Sequence, residues 1–150
     1  MIEARRLRLW DGRYTLVEDG RCVATWEMSH WSTGGRFELE GRRFMVRANL
    51  LGDEASLIEG GGRRIATAHG FGRKHWTIEA DGTTYHFSRA APWRREEKLH
   101  EGGRRLGSVR RTSLWRGDAT ADLPGLPRVV EVFAIAIALT RWESDAASTG

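Results

Sequence analysis

Residues 127–142 read Pro127-Arg128-Val129-Val130-Glu131-Val132-Phe133-Ala134-Ile135-Ala136-Ile137-Ala138-Leu139-Thr140-Arg141-Trp142. Between Val129 and Leu139 the only polar side chain is Glu131. Wound as a helix, this segment has almost no polar stripe, and a helix that is apolar all round must be buried all round. Pro127 suits the first turn of a helix, where its missing N–H costs nothing. The Ala134-Ile135-Ala136-Ile137 alternation leaves a last β-strand as the other reading. The length of the run and its leading proline favour a helix over 127–142. The run falls short of the roughly 20 apolar residues that a membrane-spanning helix needs. Leu123-Pro124-Gly125-Leu126-Pro127 breaks the chain ahead of it, and the small polar residues 143–150 predict a flexible tail.

Upstream, turn signals recur at near-regular spacing. They are Asp11-Gly12, Asp19-Gly20, Ser29 to Gly35, Glu40-Gly41, Gly52-Asp53, Gly60-Gly61-Gly62, Gly70-Phe71-Gly72, Asp81-Gly82, Ala91-Pro92, Gly102-Gly103 and a break near Thr112. Strands at roughly 8–12-residue spacing with glycine-rich turns indicate an all-β sandwich or barrel. These breaks imply about twelve strands. Phe44, Val46, Ala48 and Leu50 share one face of a strand, as do Cys22, Ala24, Trp26 and Met28, so Cys22 is expected to be buried. The clearest hairpin flanks Asp81-Gly82. A two-residue turn there pairs Ala80 with Thr83, Ile78 with Tyr85 and Trp76 with Phe87 on the inner face. On the outer face it pairs Thr77 with His86 and His75 with Ser88.

The two halves of the sequence fit one architecture. A barrel wider than about eight strands leaves room inside, and a helix down the axis is a known way to fill it. Residues 127–142 as a helix would be about 24 Å long, and a seven-residue strand spans about 23 Å. The expected fold is therefore a closed antiparallel barrel of about twelve strands around the C-terminal helix, with residues 1–142 as one domain. Small residues such as Ala24, Ala48, Ala66 and Ala68 would admit the helix.

Composition narrows the function classes. The chain has 150 residues, 40% hydrophobic and 29% charged, an ordinary globular balance for one domain. One cysteine, Cys22, excludes an internal disulfide framework and a multi-cysteine zinc cage, and fits a reducing compartment. The 24 basic residues, all Arg except Lys74 and Lys98, face 20 acidic ones and leave a net charge of +4. That is a mixed surface with a mild cationic bias, and nucleic acid is not an expected partner. The N-terminal residues are charged and show no apolar signal region, which predicts a cytoplasmic location.

Arg104-Arg105-Leu106-Gly107-Ser108-Val109-Arg110-Arg111-Thr112, then Ala119-Thr120-Ala121-Asp122-Leu123-Pro124, then the apolar finale Val129 to Leu139, form a pattern that resembles the tubby C-terminal-like superfamily. That superfamily includes tubby domains, LURP-one-related proteins and phospholipid scramblases, and in length the chain is closest to the LURP-one-related branch. The resemblance implies a twelve-stranded barrel enclosing a hydrophobic C-terminal helix, and it suggests phosphoinositide-type headgroups as ligands. The acidic calcium segment of scramblases has no counterpart here.

No Gly-x-Ser-x-Gly or Walker motif is present, so no catalytic residue and no cofactor is expected. The basic pairs Arg42-Arg43, Arg63-Arg64 and Arg104-Arg105 each follow a turn. Alternate turns of a meander lie at one rim, so these pairs share a rim and Arg94-Arg95 does not. Arginine forks there could hold phosphate groups; the plainer reading is solvated charge that protects strand edges. His69, His75 and His86 come nearest to a metal site on the outer face, although no metal is expected. Trp26 and Trp76 belong to the core, while Trp10, Trp31, Trp93 and Trp115 are left open. The expected function is a non-enzymatic binding module that holds anionic phospholipid headgroups at the inner membrane face. The alternatives are a protein-interaction scaffold, or a carrier or enzyme with an internal cavity.

Overall fold

The computed structural model describes residues 1–8, 11–29, 34–49, 53–113 and 116–149, with side chains through residue 146. Among the described residues twelve strands precede one helix: β1 (Ile2–Arg6), β2 (Arg13–Glu18), β3 (Arg21–Met28), β4 (Gly34–Leu39), β5 (Arg42–Ala48), β6 (Glu54–Glu59), β7 (Arg64–His69), β8 (His75–Ala80), β9 (Thr83–Ala91), β10 (Arg94–Glu101), β11 (Arg104–Arg111), β12 (Ala119–Asp122) and α1 (Arg128–Thr149). Each strand pairs antiparallel with the next, and β1 pairs with β12, which closes the barrel. Closure leaves no free sheet edge, which is how an all-β fold removes the hazard of edge pairing.

Local chemistry fixes the turns. Asp81 and Gly82 have φ of 50° and 75°, and Asp19-Gly20 and Glu40-Gly41 repeat the pattern. Two consecutive residues at positive φ make the tight turn whose twist matches a hairpin. The Asp81-Gly82 hairpin has the expected register throughout, from Ala80 opposite Thr83 to His75 opposite Ser88. Trp76 and Phe87 stack across it with centroids 4.3 Å apart.

The inward residues of the barrel and the helix form one core. Small side chains line much of the wall, and Ala4, Ala24, Ala55, Ala66, Ala68, Ala119 and Ala121 are all buried. They leave room for α1, whose residues from Val132 to Leu139 are each at most 1% exposed. The helix starts one residue later than the sequence suggested. It continues to Thr149, past the expected end at 142, so residues 143–149 are helical where a flexible tail was expected. Glu143 and Asp145 explain the extension, because both form ion pairs with barrel arginines as the helix emerges. At the other end Arg128 binds both Glu18 and Glu131, tying the helix start to the β2–β3 turn. No helix among the described residues is long and apolar enough to cross a membrane.

Two backbone details shape the wall. At Gly107 an added Cβ would lie 1.9 Å from the Asp122 carbonyl oxygen and 2.9 Å from Pro124, so only glycine lets the chain leave β12 there. At the start of β3 the register with β2 jumps from Leu16–Ala24 to Val17–Cys22. This bulge gives β3 one extra residue. Val23 turns toward the core and Cys22 is exposed, which corrects the expectation that Cys22 is buried.

Candidate anion-binding surface

In this up-and-down barrel the turns β2–β3, β4–β5, β6–β7, β8–β9 and β10–β11 lie at one end, with the start of α1. The other connections lie at the opposite end, where α1 emerges. Arg42, Arg63 and Arg104 therefore belong to one rim and Arg94 to the other.

Within the rim the arginines are not equivalent. Arg42 and Arg63 converge on one carboxylate: Arg42 Nε donates to Glu59 Oε1 at 2.9 Å and Arg63 Nη2 to Glu59 Oε2 at 3.1 Å. The hydrogen bond from Arg42 leads in holding the Glu59 carboxyl below the usual carboxylate range. Arg43 lies 3.8 Å from Glu38. Arg105 reaches Glu96 at 3.4 Å and Ser108 at 3.3 Å. Arg64 and Arg104 are exposed and form no ion pair among the described residues. A cleft beside Arg64 also carries Glu79 and Asp81, so charge there is mixed. The structure thus brings Arg42 and Arg63 together and leaves Arg104 and Arg105 further round the barrel, across the β8–β9 turn.

The opposite end holds a polar network that no sequence signal had marked. Glu97 is 0% exposed, and its carboxylate accepts hydrogen bonds from Trp76 Nε1, Trp142 Nε1 and Arg141 at 3.0, 3.0 and 3.2 Å. Arg89 lies 3.6 Å from Glu97 and 2.6 Å from Asp145. Arg95 donates to the Trp142 carbonyl at 2.6 Å. A buried carboxylate is tolerable only with such a full set of partners. The available clue was parity, since Glu97 lies two residues before the inward Leu99. Trp76 and Trp142 also carry N–H groups that need acceptors once buried.

Tyr14 belongs to the same end. Its hydroxyl donates to Glu143 at 3.2 Å, and burial, with the Glu143 charge adding to it, pushes its pKa up to about 12. A raised pKa means the neutral phenol stabilises the fold fully below the ordinary value near 10, and that this contribution is lost as pH rises toward 12. The expected result is alkaline destabilisation across that window, on the order of 2–3 kcal/mol. Denaturant melts at stepped pH check it, and Tyr14→Phe is expected to flatten the profile there.

His69, His75, His86 and His100 lie on the outer wall, and His30 falls outside the described residues. His69 sits 3.7 Å from Glu79 and, with His75, His86, His100, Lys74 and Lys98, lines a groove of about 810 Å³. Among the described residues no group of three or more His, Cys, Asp or Glu side chains is placed to hold a metal ion. Trp26 and Trp76 are core residues at 0% and 2% exposure, and Trp93 is 85% exposed. Trp10, Trp31, Leu50 and Trp115 fall outside the described residues.

A closed twelve-stranded antiparallel barrel with an internal C-terminal helix is the architecture expected of a tubby-like fold. Comparison with protein-family models, with curated proteins and with solved structures returns no match.

Proposed function

We propose that the protein is a non-enzymatic binding module of tubby-like type, which holds anionic phospholipid headgroups against the barrel end that carries Arg42, Arg63 and Arg104. The observation that carries this reading is the shared grip of Arg42 and Arg63 on Glu59. Two guanidinium forks already close on one anionic group there, and a phosphate presents the same acceptor chemistry. Because α1 fills the barrel, a ligand is met on the outside. The location this implies is cytoplasmic, peripheral to the inner membrane face.

The test is co-sedimentation with phosphatidylserine or phosphatidylcholine vesicles across a salt series. Binding to the anionic vesicles is expected to weaken as salt rises. Basic side chains near such a surface contribute about 1 kcal/mol each, so Arg42→Ala with Arg63→Ala is expected to lose roughly 30-fold in affinity. Glu59→Gln has the opposite sign: it frees both arginines and strengthens binding. Indifference to lipid charge would falsify the proposal. A scaffold role is the second reading, favoured by Trp93, which is 85% exposed at the far end of the barrel.

A further inference from the structure

On the outer wall, strands β8, β9 and β10 place six side chains in two rows. His75, Ser88 and Lys98 are successive register partners, and so are Thr77, His86 and His100. Trp76, Phe87 and Leu99, between them in sequence, point inward and are buried. Partners directly opposite across a sheet have Cβ atoms about 4.5–5.5 Å apart, so the two rows form one contiguous patch. Ser88 Oγ and His100 Nε2 lie 2.6 Å apart, which ties the rows together. Lys74 and Arg73 border the same groove from the β7–β8 turn. A chain that uses arginine for nearly every cation places both of its lysines, and four of its five histidines, around this groove, His69 being the fourth.

We propose that this groove is a second site, independent of the arginine rim, that binds a phosphate-type dianion and binds it more tightly as histidines protonate. Lys98 and Lys74 supply point charges, Ser88 a hydroxyl donor, and the imidazoles N–H donors that become cationic in acid. Among the described residues no carboxylate forms an ion pair with either lysine or with His75, His86 or His100. The acids lining the groove are Asp53 and Glu54, across from β7, and His69, which lines it too, pairs with Glu79 outside it. Asp53 accepts from Asn49 instead. Arg89 points inward to Glu97, and Arg105 faces His100 from β11. Burial, then the charges of Lys98, His75 and Arg105, holds the His100 imidazole below its ordinary range. That crowding of like charge is what a bound dianion relieves.

Sulfate is the first probe, because it stays a dianion from about pH 5.5 to about pH 7.5 and any pH dependence then belongs to the protein. Calorimetric titration of the whole chain is expected to show saturable binding, about tenfold tighter at the lower pH. Lys98→Gln is expected to weaken binding at both pH values. The triple change His75→Gln, His86→Gln and His100→Gln is expected to reduce the pH effect to under about twofold. Histidine proton shifts in the unaltered protein give a readout that needs no variant: the signals of His75, His86 and His100 move on sulfate addition. Glycerol phosphate in solution and phosphatidic acid in vesicles then separate a soluble phosphomonoester from a lipid headgroup as source. Binding of either, with sensitivity to Lys98→Gln, supports the site. No saturable sulfate binding at the lower pH, unmoved histidine signals, or a pH effect that survives the triple variant overturns it. Loss of sulfate binding while phosphatidylserine vesicles still bind overturns the groove alone, and the reverse result overturns the rim alone.

Discussion

Glu97→Leu is expected to destabilise the barrel by about 3–5 kcal/mol, a fall in Tm on the order of 10 °C. Three donors are aimed at this carboxylate, from Trp76, Trp142 and Arg141, and the Arg89 guanidinium lies 3.6 Å from it. Removing it leaves the buried Arg141 guanidinium without its ion-pair partner and two indole N–H groups without an acceptor. That penalty exceeds the net worth of the interactions themselves. Glu97→Gln keeps the shape but places an amide N–H₂ among donors, so its cost should approach that of the leucine variant. Denaturant melts by tryptophan fluorescence and by circular dichroism check both. A cost below about 1 kcal/mol would mean that the network does not fasten the helix end.

A charge in the middle of α1 is expected to act more severely still. Ile137 is 1% exposed and is surrounded by barrel wall. Ile137→Asp would bury a carboxylate with no donor near it, at a cost of several kcal/mol even when it protonates. Total stabilities of domains this size run to about 5–15 kcal/mol, so the variant is expected to be largely unfolded at 37 °C. Ile137→Val removes one methylene and is expected to cost only about 0.5–1.5 kcal/mol. The ratio of the two effects separates burial inside a closed barrel from partial packing on its surface, where the aspartate would cost little.

Much of this architecture was legible because it rests on local rules. Asp-Gly and Glu-Gly pairs mark turns that need positive φ, and period-two alternation assigns faces, so the β8–β9 register followed from Asp81-Gly82 alone. The all-round apolar run ending at Leu139 could only be buried, and a barrel of small inward residues was the place for it. What escaped depends on contacts distant in sequence. The bulge between Leu16 and Val17 that turns Cys22 outward leaves no mark in composition. The helix end at Thr149 is set by Arg6 and Arg89, more than 50 residues away in the chain. The rim was legible as topology, but the capture of Arg42 and Arg63 by Glu59 was not. Lys98 and His100 joined the wall groove only through the β9–β10 pairing, whose register shifts between Arg94 and Glu97.

The single cysteine offers a direct test of the swallowed helix. Cys22 is exposed and serves as an internal reference. Ala138 is 0% exposed in the middle of α1, and Ala138→Cys adds one sulfur atom. With the helix inside the barrel, the native protein titrates one thiol at once with a thiol reagent, and the second reacts only at the rate of global unfolding. Two thiols reacting together in the native state would place residues 128–149 outside the barrel and contradict the fold, the role of Glu97 and the need for ligands to bind from outside.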